Sequence, residues 1–230
     1  MTEPGEVTFA DTVRWLHDEG LVRLAAVGVG APSPIAAFTI EIATGTVTAF
    51  PAATVGVGSD VLELAADDLP EPSGTAGRLV IVGVTMTDSV LVVNLAACPA
   101  MSITADHPER TARAWVLQLL LNSEVSITTN SAALAIEAGD RLRQAFIPGG
   151  TKLFSVDDRH PPVATVSMNP AVAGEDRLDV IGDGTADMYL GTRFWQLGHA
   201  LDVADARWEA LTEQLESAVA EDDPYSTPRI

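Results

Sequence analysis

Residues Met101–Leu121, MSITADHPERTARAWVLQLLL, read as a short strand, a tight loop and an apolar helix. MSITA alternates apolar and polar side chains as a strand does, and the apolar positions from Glu109 to Leu121 recur at helical spacing. With Asp106 as N-cap, Pro108 falls in the first turn and Glu109 at N3. That is a capping-box arrangement worth about 1 kcal/mol. VSITTN follows as another strand, so strand, helix and strand at crossover length predict a parallel βαβ unit. Upstream, the apolar runs GRLVIVGV and VLVVNLA, joined by the turn residues MTDS, predict a buried hairpin.

A strand that enters a helix through a tight loop is also the frame of a phosphate loop. The working pattern is G-x-x-x-x-G-K-[ST]. Its glycines let backbone N–H groups surround phosphate, its lysine reaches the outer phosphates and its hydroxyl binds magnesium. In the register set by strand and helix, Ala105 stands for the first glycine, Arg110 for the second, Thr111 for the lysine and Ala112 for the hydroxyl residue. All four chemical positions are changed. Asp106 and Glu109 add carboxylates at the mouth of the helix, which suit its dipole but repel phosphate. No nucleotide is expected here, whether the loop is a degenerate phosphate loop or a plain capped turn.

Working outward, Thr8–Glu19 reads as an amphipathic opening helix stopped at Gly20. Leu21–Phe50 reads as three strands, the last two a hairpin across TGT. VLELAADDLPEPSGTAG reads as a helical turn running into a linker, which places a boundary near 67–77. Beyond the loop, Ala132–Phe146 is expected to be helical, PPVATVSMN a strand, and RLDVIGDGTADMYLG a hairpin turning at GDG. Val203–Val219 closes the chain as an amphipathic helix with Trp208, Leu211 and Leu215 on one face. The expected organisation is an α/β protein with a mixed sheet. An N-terminal α/β segment spans 1–70, a degenerate P-loop-like domain with flanking helices spans 77–220, and 221–230 is a loosely held tail.

Acidic residues outnumber basic ones 32 to 13, for a net charge of −19, and Lys152 is the only lysine. Nucleic acid is therefore a poor partner, because backbone affinity needs clustered Lys and Arg, and anionic membranes are disfavoured for the same reason. No run reaches the ~18 apolar residues of a membrane span, so no membrane insertion and a cytoplasmic location are expected. The single cysteine, Cys98, lies in an apolar run with no base near it in sequence and reads as a buried inert thiol.

Other patterns read as ordinary structure. Pro148–Lys152, PGGTK, precedes a strand rather than a helix and is a turn. Gly28 and Gly30 lack the third glycine and the helix of a dinucleotide site. Asp179, Asp183 and Asp187 lack calcium-loop spacing. His17, His107, His160 and His199 form no paired ligand motif, so no metal or other cofactor is expected. Ser102 and Ser126 lie in no nucleophile motif, and Asp157–His160 reads as a solvated loop. Tyr189, Phe194 and Trp195 are the interaction candidates, weighed against core packing under the closing helix.

The order VLVVNLAACPAMSITADHPERTARAWVLQLLLNSEVSI resembles a domain of large actinobacterial proteins that also carry LysM and bacterial transcriptional-activator modules. There a stretch of the form LLxxLxxxGxLxxTGDPxxARxxxRAL occupies a degenerate phosphate-loop position, and TADHPERTARAWVLQL is similar to it. The later RLDVIGDGTADMYLGTRFWQLGHALDVADARWEALTEQL is similar to that family's C-terminal hairpin and helix, with its DGxAxLxPLGL core. The likeness covers 78–130 and 176–216. Where the family has glycine before the aspartate, this chain has Ala105 before Asp106. A more distant likeness runs to FtsK/SpoIIIE-type ATPases, including those of type VII secretion. The loss of all four phosphate-handling residues with the frame retained leads to the expectation of a non-catalytic protein-interaction or regulatory module, cytosolic or membrane-associated on the cytosolic side. One alternative is a nucleotide binder using Arg110 and Arg113 in place of lysine. Another is a subunit of a secretion or envelope assembly.

Overall fold

The computed structural model describes residues 7–222 apart from 54, 57, 137–139 and 158–161. Asp158, Arg159 and His160, the tail from 223 and the Leu215 side chain lie outside the described residues. The chain opens with helix α1, Phe9–Trp15, whose Thr8 and Asp11 form a reciprocal capping box. A π turn at Leu16–Gly20 carries it straight into α2, Leu21–Val27. Gly20 is therefore not the expected stop, and Leu21 onward is not the expected strand. A Cβ at Gly20 would stand 2.9 Å from the Trp15 ring, so the missing side chain makes room for that indole inside a continuing helix.

The strands are β1 (Ile35–Glu41), β2 (Val47–Pro51), β3 (Leu62–Leu64), β4 (Leu79–Thr85), β5 (Ser89–Asn94) and β6 (Ala100–Thr104). Helix α3, Pro108–Leu120, follows. Then come β7 (Ile127–Thr129), β8 (Leu142–Gln144), β9 (Lys152–Val156), β10 (Ala164–Met168), β11 (Asp176–Val180), β12 (Ala186–Leu190) and β13 (Arg193–Ala200). Helix α4, Asp205–Asp222, completes the described chain. Among the described residues, 13 strands join one mixed sheet in the order β3-β2-β1-β5-β4-β13-β12-β11-β6-β10-β9-β7-β8. The fold is thus α/β with a mixed sheet, and β1 pairs with β5 across the boundary expected near 67–77.

Three expectations are corrected. Strand β7 pairs with β8 and β9, not with β6, so β6–α3–β7 is not a βαβ unit of adjacent strands. The β9–β10 hairpin stays together as an antiparallel pair and takes the place beside β6, with β10 parallel to it. The helix expected over 132–146 is instead a short 3₁₀ turn at Ala132–Leu134 and the strand β8. VLELAADD forms strand β3 before its helical turn at Ala66–Asp68.

Alternation along β4 and β5 sends side chains to two cores. Leu79, Ile81, Val90 and Val92 pack with Leu16, Leu21 and Leu24 of the opening helices, while Val80, Val82, Leu91 and Val93 face α3. In α3 six consecutive residues, Thr111–Val116, are all buried. At 100° per residue they point to every side of the helix, so α3 is enclosed rather than laid on a surface. The sheet bends around it far enough for β2 to reach β13. Phe50 meets Trp195 edge to face at 5.2 Å, and Arg193 donates to the Pro51 carbonyl. Past the end of β13, the Gln118 amide stands in for a strand, accepting from Ile81 N–H at 2.7 Å and donating to Ile81 C=O at 3.1 Å.

On the opposite face of β6, between Ser167 and Arg177 in the ladder, Ser102 is buried and its hydroxyl has no hydrogen-bond partner. Such a group carries an uncompensated desolvation cost. Ser102→Ala should therefore stabilise the protein by about 1 kcal/mol, read as a rise in the urea midpoint at unchanged slope.

Candidate functional site

The loop between β6 and α3 is built differently from its sequence reading. His107 is the N-cap residue and Pro108 holds the first helical position, with no side chain capping the turn. Asp106 is not the cap, and the box with Glu109 does not form. Instead, Glu109 Oε1 lies 3.3 Å from His107 Nδ1. Proline explains the shift, because its fixed φ suits the first helical residue and it has no N–H to be capped.

Ala105, at the first-glycine position, has both backbone groups engaged. Its N–H donates to Asn169 Oδ1 at 3.0 Å and its carbonyl accepts from Asn169 Nδ2 at 2.8 Å. Asn169 reaches this pose at φ +45°, the left-handed region that asparagine tolerates. Its side chain extends the β6–β10 ladder by one step and occupies backbone that a phosphate loop would turn toward its ligand.

Beside the loop lies a cavity of about 120 Å³, lined on its far side by the β11–β12 turn at Ile181–Gly184 and by His199 and Asp202. Thr111 is buried at its wall, while Ala112 belongs wholly to the core and offers no hydroxyl. Its lining residues include two acids, Asp106 and Asp202, and one arginine, Arg110. The arginines of α3 turn to Asp205 at the start of α4. Arg113 Nη1 donates to Oδ1 at 2.6 Å, and Arg110 Nη2 lies 3.5 Å from Oδ2. Arg113 also donates through Nε to the Ala133 carbonyl at 3.0 Å and lies 5.3 Å from the Trp208 ring centroid. Val203 N–H donates to the Arg110 carbonyl at 3.0 Å. Arg110 and Arg113 thus fasten the closing helix, with Trp208 buried as expected and Leu211 half-buried.

The Arg113 hydrogen bond, then Arg110, holds the Asp205 carboxyl below its usual value of 3.8. A carboxylate depressed on folding contributes stability that is present in full above its unfolded value and fades as pH falls through the folded value. Asp205→Asn should therefore lower the urea midpoint at pH 7. The gap to wild type should close as pH is lowered below 3.8, and a gap unchanged across that window would exclude the linkage.

The aromatic candidates separate by strand alternation along β13, which the sequence reading did not assign as a strand. Phe194 is 52% exposed and tilts against Tyr189 at 5.0 Å, while the Arg177 guanidinium covers the Tyr189 ring at 3.8 Å. Trp195 turns to the other face and packs against Phe50 and the core. Of these three candidates, Phe194 is the exposed one. Burial pushes the Cys98 thiol up to about 12, in keeping with an inert residue. Asp157 is buried and paired with Arg78 at 2.5 Å. The described residues contain no group of three or more His, Cys, Asp or Glu placed to hold a metal ion. None of their helices is long and apolar enough to cross a membrane.

Asn169 and Asp205 were not named in the sequence reading. Asn169, before Pro170, carries a turn signal, whereas nothing local marks Asp205. Comparison of the chain with protein-family models, with curated proteins and with solved structures returns no match.

Proposed function

We propose that this chain is a non-catalytic protein-interaction or regulatory module in which a phosphate loop has lost its chemistry and become a structural joint. The observation that carries the reading is Asp205. It engages both arginines that a nucleotide site would need, at 2.6 Å and 3.5 Å. Asn169 at the Ala105 backbone and the carboxylates of Asp106 and Asp202 at the cavity support it, since each closes the loop or repels an incoming phosphate. A joint of this kind holds the closing helix at a defined angle and leaves the surface of the sheet to do the recognising. Steady-state hydrolysis of ATP with magnesium tests the reading. No turnover above the protein-free rate is expected, and hydrolysis abolished by Arg110→Ala or Thr111→Ala would overturn it.

A further inference from the structure

Strand β8 is the last strand of the sheet, and its free side is the place to look for a partner. Its bonds to β7 fix which backbone groups point outward. The Arg141 carbonyl accepts from Ile127 N–H at 2.7 Å, and Ala145 N–H donates to the Thr129 carbonyl at 2.8 Å. Alternate residues of a parallel strand bond to the same side. The N–H and C=O of Leu142 and Gln144 therefore face away from β7 and meet no strand among the described residues. Leu142 is buried, so the edge is held in register by the core, while Arg143 and Gln144 are exposed.

Two further features mark this edge. A cleft of about 540 Å³ opens beside it, lined by Gln144, Phe146, Ile147 and Lys152 among others, and Phe146 at its wall is 91% exposed. The local charge is also reversed. Residues 125–156 carry Arg141, Arg143 and Lys152 against Glu137 and Asp140, in a chain whose net charge is −19, and the residues lining the cleft include Lys152 and no Asp or Glu. Arg141 is used internally, donating to the carbonyls of Leu120 and Asn122 at the end of α3. Arg143 and Lys152 remain exposed, Lys152 in the cleft lining and Arg143 on the opposite face of β8. The net charge of the whole chain repels anionic segments, so an acidic segment is favoured where exposed cations stand at a free strand edge.

We propose that the β8 edge is a docking site for an extended acidic segment of a partner protein, which adds to the sheet as a further strand. Main-chain bonds to Leu142 and Gln144 hold it, its alternating acidic side chains meet Arg143 on one face of the sheet and Lys152 on the other, and an apolar side chain enters the cleft against Phe146. This rests on the interaction-module reading and names its surface.

The test is photo-crosslinking in the cell that makes the protein, with a benzophenone amino acid at position 144 and, as control, at the exposed Val172. The linked peptide is then sequenced. A linked segment that is net acidic, comes from another protein, and falls at least tenfold in the Arg143→Glu/Lys152→Glu protein supports the site. Circular dichroism of that double variant confirms that the fold is intact. A basic or neutral segment, an equal yield at position 172, no link at 144, or a link to this chain's own peptides would each overturn it. Nucleotide hydrolysis leaves the edge proposal untouched, so the two readings fail by different signs.

Discussion

Gly83→Ala should destabilise the protein by about 3 kcal/mol or more and open the sheet between β4 and β13. A Cβ at Gly83 would stand 2.2 Å from the His199 carbonyl oxygen and 2.9 Å from the Ala200 Cα. Both are backbone atoms of the neighbouring strand and have no rotamer to escape by. The site is also where two irregularities meet. The register of β4 against β5 slips between Ile81 and Gly83, and that of β13 against β4 slips between Leu197 and His199. Bulges on facing strands bring the backbones close, and a residue without a side chain permits it. Because β13 joins the N-terminal strands to the rest of the sheet, the damage should be local at first. Amide exchange should accelerate in β13 and at Leu201, whose N–H donates to the Val82 carbonyl, before the helices respond. Gly198→Ala is the control, since its Cβ would meet only the sulfur of the exposed, unbranched Met86 side chain at 3.3 Å and should cost little. Equal losses at the two positions would refute the close approach.

Trp115→Ala should cost about 3–5 kcal/mol, the range for truncating a fully buried aromatic. Trp115 is inaccessible to solvent at the middle of the enclosed helix, and the sheet curls around it. Its indole N–H is buried without an acceptor, so part of what the ring contributes is offset by that unmade bond. Trp115→Phe removes the unpartnered N–H along with some volume, and should recover well over half of the loss seen with alanine. Urea titrations of the two variants measure this, and a phenylalanine variant as unstable as the alanine one would count against the offset.

The strands nearest the loop were legible in the sequence, some as apolar and polar residues in alternation and others as short apolar runs bounded by turn residues. MSITA, LVIVGV, VLVVN and ATVSM all form strands, and the GDG turn joins β11 to β12. Leu21–Val27 was not legible, since a short apolar run with one arginine fits a buried strand as well as a helix, and only the packing of Leu21 and Leu24 under β4 and β5 decides it. Ala132–Phe146 misled through its alanines, whose helix propensity yields to the pairing of Leu142–Gln144 with β7. TRFWQLGH hid a strand behind Gly198, which belongs to a bulge. At the candidate site the residues of the loop itself were visible, and the partners that define its chemistry were not. Asn169 lies 64 residues from Ala105, and Asp205 lies 92 from Arg113. No local spacing records contacts of that separation.

The central claim is that the loop is a joint and not a phosphate site. Thermal unfolding with millimolar ATP and magnesium tests it most directly, because any ligand of the folded state raises the midpoint, by about 2.7 kcal/mol of added stability at a hundred times its Kd. No shift is expected in the wild-type protein, while Arg113→Ala, which unfastens Asp205 from α3, should lower the midpoint with or without nucleotide. A nucleotide-dependent rise in the wild type that disappears in Arg110→Ala would contradict the account.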